Sequence, residues 1–265
     1  MGFDILNIFE NNEKNLLIPE RGNAISGSGF IVKHMETSIS TREQDILHEF
    51  MNGNVPEFLR DLAPVTVTKG KDQLTYLVMT DYLSIGSNED YVRMPMDPMT
   101  AQVIADKYDC TLPTCKMVYQ IWQQSINKLE PLPWGPPYNE DMIKTHRIGT
   151  HNSRINAKLV DKDPFELTSG HKKDVVLTSK LSPNNPAQRV AIYGWIKLSG
   201  KPIQPLNIKD HEITYKDYSH GVRLIANDVV LNGKPMRIKD IFSDPKLASL
   251  ISDEIPLTFT RYQTR

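Results

Sequence analysis

The sequence predicts an α+β protein, a helical N-terminal half packed on a mostly antiparallel C-terminal β-sheet, and three observations carry that prediction. Met117, Val118, Ile121, Trp122, Ile126 and Leu129 recur at three- and four-residue steps, the apolar stripe of an amphipathic helix. Beyond residue 170 the chain changes to short runs rich in β-branched and aromatic residues. Asn232-Gly233 separates two such runs, and that dipeptide suits a two-residue hairpin turn.

Taken in order, Gly27-Ser28-Gly29 reads as a loop or a close backbone approach. A helix is expected from Thr41, which stands three residues before Gln44 in capping-box spacing. Ile46, Leu47, Phe50 and Met51 form its stripe and Gly53 ends it. Residues 65–68 and 74–79 read as a hairpin turning at Lys69-Gly70-Lys71-Asp72, and 83–88 as loop. Asp97-Pro98 places a capping carboxylate before a proline suited to the first helical turn. Thr114 can cap the striped helix that follows.

Pro131, Pro133, Pro136 and Pro137 make a stiff connector over 130–138. The chain is expected to be one compact unit over 1–265, with that connector as the candidate internal boundary. Strands are expected at 174–181, 189–198, 213–217 and 222–225, then a hairpin of 229–231 with 236–238. Asp244-Pro245 should start a short helix ending near Ile251.

Composition excludes several classes. Apolar residues at 39% and charged residues at 24% are those of an ordinary globular chain and not of a disordered one. Lys and Arg total 31 against 32 Asp and Glu, so there is no basic excess to neutralise phosphates and no nucleic-acid partner is expected. No apolar run approaches the roughly 18 residues of a transmembrane segment. Met1–Glu10 lacks a positive start and is interrupted by Asp4, so it does not read as a secretory signal; a secreted and a cytoplasmic location both remain open. The two cysteines, Cys110 and Cys115, fit neither a disulfide framework nor a four-ligand zinc site.

The chemistry-bearing residues concentrate between His171 and Arg223. His211, Asp217, Ser219 and His220 are candidate acid, base, nucleophile or ligand groups, joined by His171 and Asp174 upstream. Tyr193, Trp195, Tyr218 and Arg223 are candidates for orienting a polymeric or small-molecule substrate. Three chemistries fit these types: a serine or thiol nucleophile with a histidine base, a divalent metal ion on His171, Asp174 and His211 or His220, or a polar pocket without reaction. A straight strand would put His211 more than about 25 Å from Ser219. A Ser219–His211–Asp217 triad would therefore need a bend near Lys216 or a histidine from elsewhere.

Ser219-His220-Gly221-Val222-Arg223-Leu224 resembles the Ser-His-Gly-Cys-hydrophobic-Arg-Leu signature of L,D-transpeptidases, enzymes that cross-link or trim bacterial peptidoglycan. Val190–Gly194 resembles the strand before that signature, and Gly233–Ile238 the closing strand. Val222 stands where the family has its nucleophilic cysteine, one residue is missing before Arg223, and Tyr193 replaces the upstream histidine. What the resemblance implies is a hydrolase of a bacterial cell-wall polymer, cutting a peptide or glycan bond without that family's thiol, in a bacterial or phage protein. The runner-up is a non-catalytic glycan-binding or structural protein. A second likeness is to papain-like cell-wall amidases of the NlpC/P60 type, through Cys115 at a helix start and His171 on a following strand.

Overall fold

The computed structural model describes residues 15–136, 139–181 and 189–264. The expectation for Met1–Glu10 lies outside them. Helices and antiparallel sheets are both present, as an α+β chain requires. No helix among the described residues is long and apolar enough to cross a membrane.

Helix α1 (Gly27–Lys33) occupies the stretch expected to be a loop. Ser26 caps it by accepting from the Gly29 N–H. Gly27 is there for space, since a Cβ would stand 2.6 Å from the Tyr91 backbone. Helix α2 (Ile39–Met51) starts two residues before Thr41 because Ser38 is its cap, accepting from the Thr41 N–H. Strands β1 (Leu62–Lys69) and β2 (Asp72–Met79) form the expected hairpin, in register from Leu62↔Met79 to Lys69↔Asp72. The expected loop at 83–88 contains β3 (Ser84–Gly86), paired with β4 (Tyr91–Arg93).

Helix α3 (Pro98–Lys107) has the foreseen Asp97 cap, which accepts from the Thr100 N–H. The short strand β5 (Cys110–Thr111) leads to α4 (Cys115–Gln124), capped by Thr114. Its stripe ends sooner than expected, and Ile126 is 68% exposed. Next come β6 (Asn127–Lys128) and α5 (Thr145–Asn156), the latter unforeseen because its one-sided apolar pattern is thin. Strand β7 (Thr168–Ser169) pairs with β6.

The remaining strands are β8 (Lys173–Val175), β9 (Ile192–Ile196), β10 (Pro202–Asn207), β11 (His220–Gly221), β12 (Ile225–Leu231) and β13 (Lys234–Arg237), followed by α6 (Ile238–Ser243). Proline opens β10, which lies at a sheet edge where no donor is needed on one side. The β12–β13 turn is the predicted one, with Asn232 and Gly233 both at positive φ, 51° and 78°. Asp244 accepts from the N–H groups of Lys246 and Leu247, opening a final 3-10 turn at Ala248–Leu250.

Two sheets organise the chain. The first runs β1-β2-β12-β13, with β5 also on β12, so hairpins from both halves of the sequence share it. The second runs β10-β9-β8-β11, and β11 pairs with β8 in parallel. Residues 222–224 carry the chain from the second sheet into the first, with Leu83 and Met79 donating to the carbonyls of Val222 and Leu224. Beside this crossing lie the polar groups described next.

The strand expected at 213–217 does not form. A turn closes from the Tyr215 N–H to the Glu212 carbonyl, and a second from the His220 N–H to the Asp217 carbonyl. Between them the Lys216 ammonium is drawn into a buried ion pair with Glu43 at 2.8 Å, and with Asp97 at 3.5 Å. A sheet ladder there would withdraw that ammonium from two buried carboxylates.

Candidate functional site

The residues singled out from sequence fall into two groups, on paired strands, with no hydrogen bond or ion pair between their side chains among the described residues. One is an ionic network in the interior. Asp81, just past β2, accepts from Arg93 at 2.9 and 2.6 Å, from His171 Nε2 at 3.1 Å and from the Tyr82 N–H at 2.7 Å. Burial opposes its ionisation, but Arg93 and His171 hold Asp81 well below the usual carboxylate range. Burial lowers His171 to about 4 against the pull of Asp81, so its ring is neutral at pH 7.

Asp174 accepts from the Tyr82 hydroxyl at 2.8 Å, and burial raises its carboxyl to about 7 although Arg223 opposes this. Arg223 donates to the carbonyls of Met79 and Thr168 and lies 4.3 Å over the Tyr82 ring. The cavity beside Asp174 and Arg223 is about 10 Å³, room for a single water and no substrate. The structure places His171, Asp174 and Arg223 in this buried framework, apart from the cluster formed by His211, Asp217 and His220. The proposed metal set of His171, Asp174 and His211 or His220 does not assemble. Among the described residues no three His, Cys, Asp or Glu side chains are placed to hold a metal ion. Asp81 and Arg93, on either side of the 83–88 stretch expected to be a loop, are this network's centre.

The second group lies where the turns at 212–220 fold back on the edge of the second sheet. His211 stacks on Tyr215, centroids 4.1 Å apart and planes within 7°. The two rings approach His220 at 5.9 and 5.7 Å. The bend near Lys216 thus brings His211 to the Asp217–His220 segment, which a straight strand would have prevented. Asp217 accepts from the N–H and hydroxyl of Ser219 at 2.7 and 2.5 Å, and more distantly from the Tyr215 hydroxyl at 3.4 Å. Burial pushes its carboxyl up, but His220, Lys173 and the Ser219 bonds outweigh this and hold it at about 2.

His220 is 1% exposed, and it is the buried histidine among the described residues with both ring nitrogens unpartnered. Burial lowers it to about 4, with Asp217 opposing and Lys173 and His211 assisting. His211 and Tyr215 also line a cleft of about 480 Å³ with Arg189, Asp210 and Glu212.

Lys173 completes this group and sequence reading passed over it. The parallel register His220↔Lys173 puts the two side by side, a pairing between distant segments that no local pattern announces. The Ser219 hydroxyl donates to Asp217, and no described histidine accepts from it. Trp195 and Tyr218, expected to face substrate, are 5% and 1% exposed and offer no free ring face. Tyr218 instead accepts from the Trp134 N–H at 2.6 Å, tying the proline connector down, and packs against His151 at 4.7 Å.

Tyr193 points elsewhere. Its strand partner is Asp174, and it lines a separate cleft of about 600 Å³ with Cys115 and Tyr119. Cys115 does sit at the first position of α4, yet burial, reinforced by Glu254, pushes its thiol up to about 12. The helix terminus does not overcome desolvation here, and His171 is bonded to Asp81 instead. No protein-family model matches the chain, and neither a curated protein nor a solved structure matches it.

Proposed function

We propose that the chain is a hydrolase in which His220 is the acid–base group, Asp217 sets the charge around it, and His211 and Tyr215 form the wall by which substrate enters. The observation that carries this reading is the His220 imidazole, buried with neither nitrogen paired. Buried polar atoms are nearly always hydrogen-bonded, and exceptions concentrate where a ligand or a reaction supplies the partner. A ring lowered to about 4 is neutral at pH 7 and free to take a proton.

Because Ser219 is held by Asp217, water is the nucleophile in this scheme. The imidazole takes a proton from water as the oxygen attacks the electrophilic carbon. It then returns that proton to the leaving group as the scissile bond breaks. Asp217 is tied to the Ser219 N–H and hydroxyl and so is not free as one of the two carboxyl groups that glycoside hydrolysis commonly uses. An amide or ester bond is accordingly favoured over a glycan bond. A bacterial cell-wall polymer as substrate rests on the local resemblance of 219–224 to the L,D-transpeptidase signature, with Val222, fully buried, at the thiol's place.

The test is turnover of purified peptidoglycan and a panel of acyl esters and short peptides by the wild type and His220→Gln. The substitution is expected to reduce turnover about 10²–10⁴-fold while the protein stays folded. Equal turnover by the two proteins, or none from the wild type on the whole panel, overturns the reading.

A further inference from the structure

The cluster around His220 holds a cation that makes no ion-pair contact among the described residues. Lys173 projects from β8 beside His220, and its ammonium lies 4.8 Å over the Trp195 ring. Among the described residues it forms no ion pair. Arg93 and Lys216, also buried, are paired with Asp81 and Glu43, and the neighbouring Lys172 donates to the Tyr218 carbonyl at 2.6 Å. Asp217 is the carboxylate that Lys173 feels, but its oxygens already accept from Ser219 and Tyr215.

The backbone is bent to keep the aromatic ring in place. Trp195 has φ of 53°, directly after Gly194 at 119°, an uncommon conformation for a bulky residue. Its N–H donates to the Lys172 carbonyl at 2.9 Å and its indole N–H to the His171 carbonyl at 3.1 Å, so the ring is fixed from two sides. A half-buried ammonium thus lies over an indole face, on a residue in strand register with a buried imidazole that has no hydrogen-bond partner among the described residues.

We infer that Lys173 and His220 together form a subsite for an anionic oxygen group, a carboxylate or a phosphate, reached past His211 and Tyr215. The ammonium supplies the charge and the neutral imidazole one N–H donor, so a single anion would satisfy both. In a substrate this is the acidic group next to the bond cleaved, and the inference rests on the reading of this cluster as the working site.

The experiment is an NMR titration of the histidine ring resonances at pH 7 and low ionic strength, with sodium acetate in one arm and inorganic phosphate in the other. Saturable shifts of the His220 and His211 signals are expected, from acetate alone if the site takes carboxylates and from phosphate if it takes phosphates. Lys173→Met should weaken the midpoint about tenfold or more, and Lys173→Arg should retain it. Lys173→Gln replaces the methionine variant if that protein does not fold. No saturable shift in the wild type, or an unchanged midpoint without the ammonium, overturns the subsite. Shifts without turnover on the panel above would sink the hydrolase and keep the anion site; turnover lost with His220→Gln but no shift would do the reverse.

Discussion

The two polar regions are built from the same side-chain types and differ in how those side chains are satisfied. Around Asp81 the charges are matched: the carboxylate takes Arg93 and His171, and Arg223 donates to two carbonyls, although His171 Nδ1 and Arg223 Nε have no partner among the described residues. Around His220 the carboxylate is held by its own turn, and among the described residues the ammonium has no ion pair and the imidazole no hydrogen bond. The difference teaches that burial of charged groups does not by itself mark a site. A closed network explains itself through the desolvation it offsets. An open one calls for an outside partner.

The largest effect should come from opening the closed network. Asp81→Ala leaves Arg93 and His171 buried without their carboxylate and is expected to destabilise the fold by about 3–5 kcal/mol. His220→Gln removes no hydrogen bond among the described residues and should cost less, about 1–3 kcal/mol for the buried amide. Chemical denaturation of both variants checks the contrast, and equal losses would erase it.

Acid should act on both regions. His171 and His220 each fall to about 4, below the value of about 6.5 in an unfolded chain. The unfolded state therefore binds the extra protons between those values. Stability that is whole above pH 6.5 is lost as pH drops toward 4, with a slope of up to about 1.4 kcal/mol per pH unit for each ring. Melting measured across pH 4–7 should flatten in His220→Gln by one ring's share. Unchanged steepness would mean that His220 is already charged in the folded protein.

Asp174 runs the opposite way. Burial raises its carboxyl to about 7, so the folded state holds the proton more tightly and stability from this group is lost as pH rises from about 4 through 7. Asp174→Asn keeps an acceptor for the Tyr82 hydroxyl without the charge. It is expected to stabilise the protein by about 1–3 kcal/mol at pH 8 and to change little at pH 4. A loss at pH 8 would show that Arg223 relies on the ionised carboxylate.

The smallest effect concerns the second cleft. With its thiol pushed up to about 12, Cys115 should react with iodoacetamide at pH 7.5 far more slowly than an exposed thiol, with mass spectrometry as the readout. Fast alkylation would reopen a thiol mechanism at α4 and move attention away from His220.

Much of this was legible locally. The β1–β2 and β12–β13 turns, the Asp97 and Thr114 caps and the core of α4 all follow from residues within a few positions of one another. In the candidate site, His211, Asp217 and His220 were visible as residue types crowded into one segment. Lys173 and Tyr215 carry no local signal, and the sequence pattern groups His171, Asp174 and Arg223 with the histidines of 211–220, whereas the structure places them against Asp81 and Tyr82.

Short-range chemistry accounts for that division. Caps, turns and helical stripes depend on neighbours along the chain, so the amino-acid order alone determined them. Which face of β8 meets β11, whether 213–217 straightens or bends toward Glu43, and whether an arginine finds a carboxylate or two carbonyls depend on segments more than a hundred residues apart. Only the packed chain decided those, because a buried charge is tolerated or exposed as unmet by whatever distant group arrives beside it.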